Sequence, residues 1–169
     1  MDKSEKNVEI SEGLFELGPG VIIYSKRYHH CDGSYTMEIY DRNGPQGPLQ
    51  QRIKFLKDGE PIFHEVYYSS GKIHFRRRYK NKKEDGLWES WYENGQQSTV
   101  NNYVNGKLHG LQQSFDVNGK IEDLDYYING EKVSDKVFKE YIKKIGSRIA
   151  EELNLDEKSL GNLIASYSE

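Results

Sequence analysis

The stretch Tyr28-His29-His30-Cys31-Asp32 puts two histidines, a cysteine and an aspartate side by side. Zinc takes nitrogen and sulfur donors in a tetrahedron. On a strand, however, only alternate residues share a face, so His29 and Cys31 point together and His30 does not. Two further ligands would have to come from elsewhere, and no CxxC or HxxxH spacing supplies them. The same alternation separates Cys31 from His30 as a nucleophile and base. Neither a metal site nor a cofactor is expected.

The second chemical candidate is the run KIHFRRRYKNKK, Lys72 to Lys83, which holds seven Lys or Arg and no acid. Arginines interleaved with rings suit phosphates and stacked bases, and equally an anionic lipid or an acidic protein. Read as a strand, His74, Arg76, Arg78 and Lys80 face one way, with Phe75, Arg77 and Tyr79 opposite. Arg76, Arg77, Arg78, Lys80, Lys82 and Lys83 are the candidate binding residues. Yet 24 and 48 positions further on, Arg76 becomes Val100 and Leu124, and Arg77 becomes Asn101 and Asp125. A groove built for an anionic polymer by repetition would reinforce its charge, and here it erodes. The plainer reading is a solvated or internally paired strand.

Glu65 and Glu89 form a third candidate. With one strand between them they would stand about 10 Å apart, which suits paired carboxylates but also a polar ladder on a wet sheet. The glycines fall at corners, with no phosphate-loop spacing. The chain is therefore expected not to be an enzyme. His109, in YVNGKLHG, raises the same choice between a site and a corner.

The elements that position these residues come from a repeat. GLWESWYENGQQSTVNNYVNGKLH (Gly86 to His109) lies over GLQQSFDVNGKIEDLDYYINGEKV (Gly110 to Val133) without a gap. Twenty-four residues upstream, Tyr68, Gly71, Tyr79 and Asn81 match Tyr92, Gly95, Tyr103 and Asn105. Before that the pattern frays, with about three extra residues around Pro45 to Pro48. Asn-Gly at Asn94, Asn105, Asn118 and Asn129 is a strong hairpin signal, read here as type I′ turns throughout. Each unit of about 24 residues is thus a β-hairpin, and successive hairpins make an antiparallel meander. Phe63, Leu87 and Leu111, with Tyr67, Trp91 and Phe115, share a face predicted to be buried. Tyr79, Tyr103 and Tyr127 form a further column. In YVNGKLHG the corner is required, whereas Val133 takes the place of His109 in the next unit.

These motifs, "W.SWYENGQ....NYVNGKLHG" and "YYINGEK", resemble the MORN repeat, and more closely its variant form. That variant occurs in proteins grouped as antitoxins and in repeat proteins of large DNA viruses. The resemblance covers residues 62 to 133 well and 35 to 61 poorly. It implies an elongated β-sheet scaffold that binds other proteins and sometimes lipid, and hence a virion or cellular structural part or an antitoxin-like binder.

Past Gly130 the apolar period changes from 2 to 3.6. Phe138, Tyr141, Ile142, Ile145, Ile149 and Leu153 form one stripe of a helix capped by Ser134, and a second helix is expected from Asp156. The stripe either caps the last strand or is a surface for homo-oligomers or a partner. The expected layout is a polar N-terminal lead (1–20), a mainly β repeat sheet (21–133) and C-terminal helices (134–169).

The chain has 169 residues, net charge −3 and 13 tyrosines. Its pI is about 6.0 and its mean hydropathy −0.89. Those totals give no general attraction to nucleic acid or anionic membrane. A single cysteine and a polar start predict an intracellular, cytoplasmic protein without a membrane span, or a virion component if the source is viral. The expected function is a non-catalytic scaffold or adaptor with a protein partner. Nucleic-acid or anionic-lipid binding through residues 72–83 is the alternative.

Overall fold

The computed structural model describes residues 9–18, 21–41 and 43–153, except for the side chains at 9–10, 15–18, 21–22 and 149–153. Among these residues thirteen strands form one antiparallel sheet in near-sequential order, followed by one α-helix. The strands are β1 (Glu9–Gly18), β2 (Val21–His29), β3 (Tyr35–Tyr40), β4 (Leu49–Phe55), β5 (Pro61–Tyr67), β6 (Ile73–Lys80) and β7 (Lys83–Glu84). Then come β8 (Gly86–Trp91), β9 (Gln97–Val104), β10 (Lys107–Leu108), β11 (Gly110–Phe115), β12 (Ile121–Ile128), β13 (Glu131–Val133) and α1 (Asp135–Leu153). The main path is β1-β2-β3-β4-β5-β6-β8-β9-β11-β12-β13, with β7 on β6 and β10 on β9. This is the hairpin meander that the repeat predicts.

Two kinds of turn alternate along it, where the sequence suggested one. At Asn105-Gly106 and Asn129-Gly130 both residues have positive φ (52° and 80°, 53° and 91°), as a type I′ turn requires. Asn81-Lys82 adopts the same shape with φ of 52° and 60°. At Asn94-Gly95 and Asn118-Gly119 only the glycine is left-handed. There the Asn94 side chain and Asp116 accept backbone N–H groups two residues on, from Gln96 and Asn118. The register slips by one beside these turns, between Ser90 and Trp91 and between Ser114 and Phe115, which is a glycine bulge. The Pro45–Pro48 insertion begins with a 3-10 turn at Gly44–Gln46, and Gly44 lies against the Tyr24 ring.

Two sequence expectations need correction. The lead assigned to residues 1–20 holds a strand: β1 pairs with β2 from Glu9↔His29 to Gly18↔Val21. Its acidic composition hid it, because an edge strand can be polar when its charges find cross-strand partners. The predicted buried side is only half-buried, with Phe63, Tyr67, Trp91, Leu111 and Phe115 partly covered. Leu87 is 40% exposed, and no described side chain is fully enclosed. The sheet is a single layer with both faces half-covered, so its rings shield their bodies and leave their edges wet. The second helix expected from Asp156 lies outside the described residues.

Candidate binding surface

The acid expected to stand in a polar ladder proves to be the centre of one. Glu65, on β5, is 6% exposed. Arg76 on β6 donates to it through Nη2 at 2.9 Å and Nε at 3.1 Å. From the other side, Arg52 on β4 brings Nη1 to 3.6 Å. The Tyr67 hydroxyl donates to the same carboxylate at 2.5 Å. Arg52 also forms a fork with Glu38 on β3, with Nη2 and Nε at 2.9 and 3.1 Å from Oε1. Arg76 reaches Glu89 on β8 at 3.8 Å. Lys26 on β2 meets Glu12 on β1 at 3.0 Å.

Register places all seven in one row: Glu12↔Lys26↔Glu38↔Arg52↔Glu65↔Arg76↔Glu89. Charge alternates at every step across seven strands. Beyond Glu89 the row continues as Val100, Gln113 and Leu124, and the charge stops. A bracketed carboxylate offsets the loss of its hydration with forked, charge-assisted hydrogen bonds.

Rings flank the row on the same face. Arg76 lies over Phe63 and Trp91 at 5.7 and 5.5 Å, and Arg52 over Tyr67 at 5.8 Å. Tyr28 and Tyr40 both donate to Glu38. Burial would raise the Glu38 carboxyl, but the bonds from Tyr40, Arg52 and Tyr28 outweigh it and hold the group below its ordinary value. Burial, then the bond to Glu65, pushes the Tyr67 hydroxyl up to about 12.

The basic run is thereby divided. Arg76 is committed to the row. Arg77 is on the opposite face, its guanidinium between Phe75 at 4.6 Å and Trp88 at 4.1 Å. Burial, then the Arg77 charge, lowers the neighbouring His64. Arg78 and Lys80 are exposed, Lys82 sits 3.8 Å from Glu60, and Lys83 is exposed. The six cations never assemble on one surface.

The helix stripe docks through its first turns. Phe138 packs its ring, tilted, against Tyr126 of β12 at 4.9 Å. The Tyr141 ring meets His109 at 5.6 Å, and the backbone N–H of Asn129 points at His109 Nδ1 from 3.4 Å. His109, read as dispensable, is therefore where the helix touches a hairpin corner. Ile142 and Ile145 are half-buried, and the side chain of Ile149 lies outside the described set. In the His-Cys-Asp cluster, His30 bonds Thr36, Asp32 accepts the Ser34 N–H, and Cys31 is exposed. Among the described residues no three His, Cys, Asp or Glu side chains converge as a metal site.

Sequence reading missed Glu12, Lys26, Glu38 and Arg52. It also missed an open cleft of about 310 Å³ between the insertion and the end of β5, lined by Pro48, Gln51, Val66 and Tyr67. Among the described residues no helix is long and apolar enough to cross a membrane.

The model of the MORN repeat variant matches residues 84–107 and 108–129. No curated protein matches the chain. Among solved structures, it is similar to a chain of a GtfA/B complex bound to UDP and GlcNAc, at 17% identity and a TM-score of 0.34. That likeness covers 89% of this chain and 28% of the other, so this chain spans little more than a quarter of that length.

Proposed function

We propose, from the premise that residues 84–129 are two MORN-variant repeats, that the chain is a non-catalytic scaffold whose ladder face binds a protein partner. The observation that supports this is the row of fixed charges from Lys26 to Glu89 flanked by half-covered Phe63, Tyr67 and Trp91. Protein interfaces are enriched in Tyr, Trp and Arg, and most of their energy sits in such anchors. Here the arginines are already held by carboxylates, so little side-chain freedom is lost on docking. Whether the assembly is a virion, a cellular structure or a toxin–antitoxin pair is a matter of the partner's identity.

Affinity capture with the full chain tests the reading. Trp91→Ala and Tyr67→Ala should each lose the captured protein while keeping the wild-type circular dichroism spectrum. A double change of Lys82 and Lys83 to Glu, at the turn after β6, should retain it. The reverse pattern would replace the ladder face with the basic turn and favour an anionic partner.

A further inference from the structure

The charge row is open at one end. Glu65, Glu38 and Glu89 have side chains 8%, 13% and 17% exposed, whereas that of Glu12 is 47% exposed. Among the described residues Glu12 has a cation on its β2 side only, and β1 is the outermost strand. The Tyr24 hydroxyl and Lys26 hold its carboxyl below the ordinary value, so it is charged at neutral pH. Two residues along on the same face, Leu14 is 62% exposed.

The two sheet edges differ. β13 is three residues long and runs straight into α1, while β1 is ten residues long with no strand on its outer side among the described residues. An edge of that length presents unpaired backbone donors and acceptors, the template for strand addition.

We infer that β1 receives an extended segment of another protein. That segment carries a lysine or arginine in register with Glu12 and a ring or aliphatic two residues to either side. β2 already shows this chemistry on the inner edge: Lys26 pairs with Glu12, and Tyr24, two residues along, pairs with Leu14. The incoming strand repeats on the outside what β2 does on the inside and adds the next alternating charge to the row. A second copy of β1 does not fit, since residues 9–18 contain three glutamates and no Lys or Arg. This deepens the scaffold reading by placing part of the partner at the sheet edge.

The test uses the full chain and two labelled heptapeptides, Thr-Tyr-Thr-Lys-Thr-Tyr-Thr and its twin with Glu at the centre, followed by fluorescence anisotropy. The lysine peptide should bind about tenfold tighter than its twin, the scale of exchanging an opposite for a like cross-strand charge. Glu12→Gln should erase that preference and Glu12→Lys should invert it. Where Glu12→Lys loosens β1 from Lys26, the neutral Glu12→Gln decides. N-methylation of alternate peptide residues, in the phase that faces β1, should abolish binding.

Equal affinity for the twins, or no binding at about 1 mM peptide, overturns the proposal. So does a dimer of the chain that excludes both peptides. Trp91→Ala should leave peptide binding unchanged. Failure here with Trp91-dependent capture intact therefore removes the edge and keeps the ladder face.

Discussion

Glu65 shows how much a single side chain carries in a sheet without a deep core. It accepts from Arg76 and Tyr67 and stands between two guanidiniums. Glu65→Ala removes the shared acceptor, but Arg52 keeps Glu38, Arg76 keeps Glu89 and both guanidiniums reach solvent, so the cost should be about 1.5–2 kcal/mol, the scale of hydrogen bonds to a charged group. Glu65→Gln should cost less, and urea unfolding of both variants gives the comparison. His64 and Glu38, the two partly buried groups among those lowered, contribute to the response to acid. Both titrate below their ordinary values, so the unfolded chain binds the proton more readily and stability falls as pH drops. Loss should begin below the ordinary His value of 6.5 and resume below the Glu value of 4.5. His64→Gln should erase the upper step in a series of thermal melts. Gly106, at φ 80°, holds a left-handed corner where a side chain strains the backbone, a strain that Lys82 bears at the equivalent corner with φ 60°. Gly106→Val should cost about 1–2 kcal/mol through that backbone strain alone, because a Cβ there meets only the Lys83 stem at 3.7 Å.

Among elements, the hairpins from β5 to β12 were legible because their turn residues recur every 24 positions and each recurrence has a local physical cause. The same applies to α1, whose Ser134 Oγ lies 3.4 Å from the Val137 N–H beside the first-turn Asp135. The charge row was not legible. Its members are separated by 14, 12, 14, 13, 11 and 13 residues, so no fixed period marks them, and only register brings them together. Arg77 shows the same limit from the other side: strand alternation separated it from Arg76, but its place between Phe75 and Trp88 depends on which strand lies next to it. The helix hangs on few contacts. Phe138→Ala should raise hydrogen exchange in α1 while leaving the strands from β2 to β9 protected, since Tyr126 is the ring it packs against.

As a whole molecule the chain is close to one-dimensional, each hairpin resting on the next. The tyrosines serve as couplings between units: Tyr68 donates to the Trp91 carbonyl and Tyr92 to that of Phe115, each at 2.8 Å and 23 residues apart. Stability in such a chain is approximately a sum of neighbour terms. Tyr92→Phe should therefore weaken the junction of the two matched repeats by about 1 kcal/mol. The effect should broaden the unfolding transition rather than shift it intact.

The end of the charge row at Glu89 carries a consequence for how the chain finds its threading. A strand that zips onto a neighbour one place out of order can trap the protein in a skipped arrangement. From β1 to β8 the alternating signs act as a parity check, since omitting one strand would set glutamate against glutamate or arginine against arginine. From β9 onward Val100, Gln113 and Leu124 offer no such check, and tight corners alone enforce the order. Salt at about 1 M shrinks the screening length to about 3 Å. Refolding under that condition should produce more trapped molecules than refolding at low salt, with the added errors confined to the half that spells its order in charge.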